Sequence, residues 1–327
     1  METKVIKAEK GLKEGAKLLL GGELVAFPTE TVYGLGAVAF NEDAVKKIFE
    51  AKGRPQDNPL IVHLANFKDV NKVAKNVPPV FYKLAKKFMP GPLTIVLPKG
   101  DAVPSVVTAG GDTVAVRVPL KKSARKLIKA SAPIAAPSAN KSKHVSPTTA
   151  QDTFNDMNGL IPLILDGGAC EVGIESTVLD LTAKTPTILR PGYVTEEMLL
   201  KVLSSVEKFG GEIKVAKSPG MKYTHYAPKV YTVIAKTFES GLKEYDRAKA
   251  EGKNPVYILR ERKSDELKGK KYIFVGKTPK DVSKNIYSSM LNAEKAFDEI
   301  IIENFGNEGL LGSVMNRVEK SASNKEV

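Results

Sequence analysis

Tryptophan is absent from this chain, cysteine occurs once and histidine only three times in 327 residues. The single thiol, Cys170, permits no internal disulfide and no thiolate metal cluster, so a reducing cytoplasm is the expected compartment. His144 and His225 show no metal-ligand spacing, and no protein-only metal site is expected. Long apolar runs are missing as well. None approaches the ~20 residues of a membrane span, and the first residues lack the apolar core of a secretory signal, so no membrane partner is expected.

What remains is an ordinary globular composition, 42% hydrophobic and 27% charged, long enough for two domains with real cores. Acidic residues are scarce in one window. Residues 51–150 hold 17 Lys/Arg and 4 Asp/Glu, which accounts for the whole net charge of +13. A field of that sign and density suits a phosphorylated ligand or RNA.

Within that window, Lys52-Gly53-Arg54-Pro55-Gln56-Asp57-Asn58-Pro59-Leu60 packs cations, amides and prolines between an amphipathic helix at 43–50 and a buried strand at 60–64. Gly53 suits the C′ position of that helix. Two prolines restrict the backbone, so the stretch is either a solvated basic turn or one wall of a polyanion pocket.

Upstream, a helix at 9–20 and a strand at 24–27 lead into a loop, Pro28-Thr29-Glu30-Thr31-Val32-Tyr33-Gly34-Leu35-Gly36, rich in hydroxyls and glycine. Loops leaving strand ends of α/β sheets are where ligands bind. Gly34-x-Gly36-x-x-Ala39 meets only the loosest dinucleotide fingerprint, and no helix pattern follows it. Helices are expected at 67–74 and 79–88, and strands at 93–97 and 114–118 with Thr113 at the entrance. Arg117 is anomalous inside an apolar strand: it must be paired, face a ligand, or point to water from an edge. A helix at 123–130, a strand at 134–136 and a polar loop at 137–148 follow. That loop is either a surface segment or a set of donors for phosphate and ribose oxygens. A helix at 149–156, strands at 163–166, 176–181 and 187–189, and a helix from Thr195 close a first domain, 1–205. Arg190 is a second cation at a strand end.

Residues 206–229 read as a linker with an unusual aromatic part, Tyr223, His225 and Tyr226. Beyond it, strands at 230–235, 255–259 and 272–275, helices at 241–250 and 281–304, and a last strand or tail give a small Rossmann-like open α/β domain, 230–327. Gly276-Lys277-Thr278 is not a phosphate loop, because the first glycine it needs would fall on Lys271.

Six ordered motifs then converge: Pro28 to Leu35; Lys52-x-Arg54-Pro55-x-x-Asn58-Pro59-Leu60; Pro90-Gly91-Pro92-Leu93-Thr94; Val116-Arg117-Val118-Pro119; Pro137-Ser138-Ala139-Asn140 with Ser146-Pro147-Thr148; and Glu175-Ser176-Thr177-Val178. Together they closely resemble the YrdC-like family of threonylcarbamoyl-AMP synthases in its longer, two-domain form. The resemblance implies an α/β fold with a twisted mixed sheet, flanking helices and a small C-terminal domain. It also implies a reaction of L-threonine, bicarbonate and ATP, with Mg2+ accompanying the nucleotide, that yields an adenylate and pyrophosphate. A downstream transferase would use the adenylate to modify tRNA, and direct tRNA contact is a further option.

Carried onto this sequence, Thr31, His63, Arg117, Ala136 and Ser176 would surround threonine, with Arg117 on its carboxylate. Arg54, Asn58, Thr113, Ser138, Ser146 and Arg190 would hold ATP, Tyr226 would fold over it, and Lys52, Arg54, Ser138 and Asn140 would form the catalytic cluster at the phosphates. His63, on its residue type alone, also suits a purely structural role. The rival class is a double-stranded RNA-binding module without catalysis, which accounts for the charge but not for Thr31, Arg117 and Ser176.

Overall fold

A computed structural model describes residues 2–210, 216–219, 226–261 and 265–327. The linker residues Gly211, Gly220, Tyr223 and His225 lie outside these. The chain divides into two compact units. The first comprises Met1–Ser142, Pro147–Glu171 and Glu175–Tyr223, and the second Lys143–Ser146, Val172–Ile174 and Thr224–Val327.

In chain order the first unit contains β1 (Lys4–Lys7), α1 (Ala8–Leu20), β2 (Val25–Phe27), β3 (Gly34–Val38), α2 (Glu42–Lys52), β4 (Ile61–His63), α3 (Pro79–Phe88), β5 (Leu93–Pro98), β6 (Thr113–Arg117), α4 (Lys122–Ala130) and β7 (Ile134–Ala136). It continues with α5 (Ala150–Met157), β8 (Leu163–Asp166), β9 (Thr177–Asp180), β10 (Thr187–Arg190), α6 (Glu196–Leu200) and β11 (Glu207–Lys208). The strands form one mixed sheet in the order β1-β8-β2-β3-β7-β4-β6-β5-β9-β10-β11.

Local chemistry sets the boundaries. The Asn41 side chain accepts the Ala44 N–H at the start of α2, and Gly53 ends the helix in the left-handed region at φ 58°. Residues 67–72, expected as an α-helix, form a 3-10 segment instead. The loop expected to run through Gly36 ends at Tyr33, because Gly34 and Gly36 belong to β3. Glycine is needed there for close approach: a Cβ on Gly36 would lie 2.7 Å from Ile134 Cγ2 and 2.8 Å from the Phe27 ring.

The sheet has two unlike faces. Ala26, Leu35, Val62, Ile95, Val116, Ala135 and Leu179 point into the main core. On the other face, α1 and α4 bring Leu19, Leu127 and Ile128 against Val25, Phe27, Ile134 and Leu163, covering the β8-β2-β3-β7 half. The remaining half carries only a small cluster of Ile61, Val96, Ala115 and Val178. Burying each of the larger side chains, Val, Leu, Ile or Phe, contributes roughly 1.5–3 kcal/mol, so the large cluster holds the unit together and the small one leaves room for polar groups beside it.

The second unit contains β12 (Tyr231–Ala235), α7 (Phe238–Ala250), β13 (Pro255–Leu259), β14 (Tyr272–Phe274), α8 (Pro279–Ala293), β15 (Glu299–Glu303) and α9 (Gly309–Ser321). Its sheet is fully parallel, in the order β12-β15-β13-β14, an open α/β arrangement as expected. Two expectations fail here. The helix expected over 281–304 ends at Ala293, and the last segment, expected as a strand or tail, holds the helix α9. Residues 299–303 form an interior strand, buried throughout, because the β-branched run Ile300-Ile301-Ile302 packs on both faces of a parallel sheet.

Candidate active site

Strand register builds the site. His63 on β4 pairs with Arg117 on β6, and Arg117 with Thr94 on β5, so three polar side chains stand in one row across the sheet. Side chains alternate along each strand, which puts this row on the same face as Ile61, Ala115 and Val96. Thr113 shares that face at the other end of β6. Four residues of strand separate it from Arg117, about 13 Å at ~3.3 Å per residue.

At the Arg117 end, the guanidinium Nη2 donates to Glu30 Oε1 at 2.7 Å, with both side chains buried. Glu30 Oε2 accepts the Leu120 N–H at 2.8 Å. Arg117 Nε reaches the Gly91 carbonyl at 3.4 Å, while Nη1 donates to no group among the described residues. One face of a fixed fork is thus left for a ligand. His63 Nδ1 lies 3.2 Å from the Ile61 carbonyl, and its ring meets Phe27 edge-on at 6.0 Å. Burial, reinforced by the Arg117 charge, pushes its pKa down to about 3, so the imidazole is neutral. Thr31 is fully buried with its hydroxyl 2.9 Å from that of Thr29, which also accepts the N–H groups of Thr31 and Val32. Ser176 and Thr94 hydroxyls are 2.7 Å apart. Arg190 donates to the Ser176 carbonyl at 3.0 Å and to its hydroxyl at 3.3 Å. Arg190, expected with the nucleotide, therefore touches a residue expected with threonine.

At the Thr113 end, Lys52 is fully buried at the last position of α2. Its Nζ donates to the Ser138 carbonyl at 2.7 Å and to the Asn140 carbonyl, tying the polar loop to the helix. Burial, and after it the neighbouring Arg54 charge, hold the Lys52 pKa well below that of an ordinary lysine, with Asp156 opposing. Arg54 donates to the carbonyls of Asn58 at 3.2 Å and Pro59 at 3.1 Å. The Asn58 side chain is 1% exposed, and neither its Nδ2 nor its Oδ1 has a hydrogen-bond partner. An unsatisfied buried amide costs about 1–3 kcal/mol. Ala136 pairs with Ile61 on the floor, and the Ser138 hydroxyl is half-buried at the isolated bridge to Gly34.

Two family models match, one described as "Telomere recombination" over residues 17–192 and one as "Threonylcarbamoyl-AMP synthase, C-terminal domain" over 194–323. The chain belongs to the threonylcarbamoyl-AMP synthase family. A family member from Pyrococcus abyssi is 42% identical over 322 residues, 95% of this chain and 94% of the relative. One from Bacillus subtilis is 40% identical over 97% of this chain and 94% of its own length. The solved structure of Pyrococcus abyssi Sua5 complexed with L-threonine superposes with a TM-score of 0.93 at 41% identity, covering 99% of both chains.

Against the synthase-family expectation, the first unit brings together Lys52, Arg54, Asn58, Thr113, Ala136, Ser138 and Asn140 at one end, and Thr31, His63, Arg117, Ser176 and Arg190 at the other. Ser146 and Tyr226 lie in the second unit. Ser146 is buried, and Tyr226 adopts φ 75° with its ring stacked 5.6 Å from Tyr287. Sequence reasoning missed Glu30 and Thr94 as site residues although both lie inside quoted motifs; a carboxylate amid apolar and hydroxyl residues is the signal that could have found Glu30. The Tyr33 phenol is structural: it donates to the Gly168 carbonyl at 2.8 Å, accepts the Gly167 N–H, and burial raises its pKa.

Proposed function

We propose that this chain is an L-threonylcarbamoyladenylate synthase, joining L-threonine, bicarbonate and ATP to give threonylcarbamoyl-AMP and pyrophosphate for threonylcarbamoyladenosine formation in tRNA. The observation that carries the reading is one face of β6 with the Lys52–Arg54–Asn58 cluster near Thr113 and the Arg117–Glu30 pair about 13 Å away. That spacing suits a ligand with phosphates at one end and a carboxylate at the other.

The chemistry asks for alignment more than for covalent catalysis. Threonine's amine and bicarbonate give a carbamate and water, and a carbamate oxygen attacks the α-phosphorus as pyrophosphate leaves in line. Arg117 takes the threonine carboxylate through its unused Nη1, with the neutral His63, Thr31 and the Ala136 backbone around the amino acid and Ser176 beside its hydroxyl. Arg54, Asn58, Thr113, Ser138 and Arg190 hold the nucleotide, and Lys52 with Asn140 fixes the loop that carries Ser138.

Magnesium enters with ATP as part of the substrate. Among the described residues no group of three or more His, Cys, Asp or Glu stands together, and the phosphates would supply oxygen ligands to the ion. No helix among the described residues is long and apolar enough to cross a membrane. We assign the reaction to the cytoplasm, with a separate transferase consuming the adenylate.

The deciding experiment is ATP–pyrophosphate exchange with purified protein and no RNA. The reading requires exchange that depends on both threonine and bicarbonate. Folded protein that shows none belongs to the binding-only class.

A further inference from the structure

On the proposed reading Thr31 and Ser176 are the two hydroxyls around the amino acid, and their protons are committed differently. Thr29 Oγ1 gives its one proton to the Val32 carbonyl at 2.6 Å. The Thr31 hydroxyl, 2.9 Å from that same oxygen, is therefore the donor between the two, and what it turns toward a ligand is lone pairs. Of these two hydroxyls, Ser176 is the one with a proton for a ligand oxygen.

Ser176 Oγ has two neighbours. Arg190 Nη2 donates to it at 3.3 Å, and this guanidinium is held in place by the Ser176 carbonyl at 3.0 Å and the Pro219 carbonyl at 3.3 Å. Thr94 Oγ1 lies 2.7 Å away. Strand register fixes that approach, since β5 runs between β6 and β9 and pairs Thr94 with Arg117 on one side and Val178 on the other. Thr94 and Ser176 are both fully buried, and neither hydroxyl donates to a further group among the described residues. The two oxygens therefore hold two protons, spend one on each other and keep one. If Ser176 spent its own, the Thr94 proton would be left without an acceptor. If Thr94 spends its own, Arg190 and Thr94 fill both lone pairs of Ser176, and the proton that remains is the one beside the substrate's side-chain hydroxyl.

We infer that Thr94 is a specificity-determining residue that acts through Ser176, committing its hydroxyl as a donor so that the site selects a β-hydroxy amino acid over an apolar isostere. The inference rests on the proposed reading, in which Ser176 stands beside the hydroxyl of threonine. A site built to hydrogen-bond a substrate hydroxyl rejects the analogue without it, because a buried polar group of the site is then left unpaired. L-Valine, which carries a methyl group in place of that hydroxyl, leaves the Ser176 proton with no acceptor.

The test is calorimetric binding of L-threonine, L-valine and ATP to the full chain in a double-mutant cycle of Thr94→Val and Ser176→Ala. Valine keeps the shape and the strand preference of Thr94 and removes the hydroxyl. T94V alone is expected to weaken L-threonine binding about tenfold, the equivalent of one hydrogen bond, while L-valine and ATP affinities hold. In the S176A background the same change has no further effect. Thr94→Ser, which keeps the hydroxyl, rescues the loss. Four results overturn the inference: unchanged L-threonine affinity in T94V; an equal loss in both backgrounds, which marks a packing role or a direct contact; an equal loss for ATP; or no L-threonine binding by the unmodified chain. Threonine binding without threonine-dependent exchange sinks the proposed reaction while the cycle still reads, so the two failures are separable.

Discussion

Glu30 and Arg117 hold one another 2.7 Å apart with both side chains almost wholly withdrawn from water. The pair joins the loop after β2 to the end of β6 and orients the guanidinium whose Nη1 is unused.

Replacing Glu30 by Gln leaves a buried cation without its counter-charge. The expected cost is about 3–5 kcal/mol of stability, with the threonine KM rising more than the ATP KM. Denaturant unfolding and two-substrate kinetics check this. Equal stability and an unchanged threonine KM would remove Glu30 from the positioning of Arg117. Arg117→Lys should not rescue activity, since a single ammonium cannot serve carboxylate and ligand in the same plane.

Asn58→Ala separates ligand binding from folding. The side-chain amide has no partner in the protein, and its carbonyl, which Arg54 uses, survives the change. Ligand-free stability should hold or rise by up to about 1 kcal/mol, while the ATP KM rises about tenfold, the equivalent of one lost hydrogen bond. Destabilisation with an unchanged ATP KM would assign the amide a structural role.

Acid should weaken the fold through His63. Its native pKa is pushed down to about 3 against an ordinary 6.5, so the unfolded chain takes up a proton that the native protein refuses. The stability this group contributes is complete above pH 6.5, falls by up to about 1.4 kcal/mol per pH unit below it, and levels off near pH 3. Unfolding free energies measured from pH 7 to pH 4 should show that slope, and His63→Gln should flatten it. An identical pH profile in the variant would refute the assignment.

A methyl group at Gly192 should disturb Ser176. A Cβ there would lie 2.4 Å from Thr177 N and 2.6 Å from Ser176 C, backbone atoms that cannot rotate aside. Gly192→Ala is expected to cost about 1–3 kcal/mol and to raise the threonine KM. Gly210→Ala, with nothing within 4 Å of the added atom, serves as the neutral comparison. Matching melting temperatures for the two variants would contradict the packing argument.

Much of this was legible because the chain punctuates itself. Short apolar runs bounded by proline and glycine mark β7, β8 and β13 at their observed limits. The interior strand of the second unit was hidden because 281–304 lacks a glycine or proline break, and only the sheet's demand for a two-sided apolar strand separates it from α8. Arg117 is visible as a cation in an apolar strand, whereas its partner lies 87 residues away, a pairing that no local pattern encodes. The unsatisfied Asn58 amide and the shared level of His63, Arg117 and Thr94 depend on tertiary register alone.

The adjoining charges of Lys52 and Arg54 carry a thermodynamic corollary. Each disfavours the other while the site holds no anion, which is part of why Lys52 sheds its proton more readily than usual. On the proposed reading, a polyphosphate bound beside them would oppose that repulsion, and nucleotide and proton would then be reciprocal effectors, each tightening the grip on the other by the same factor.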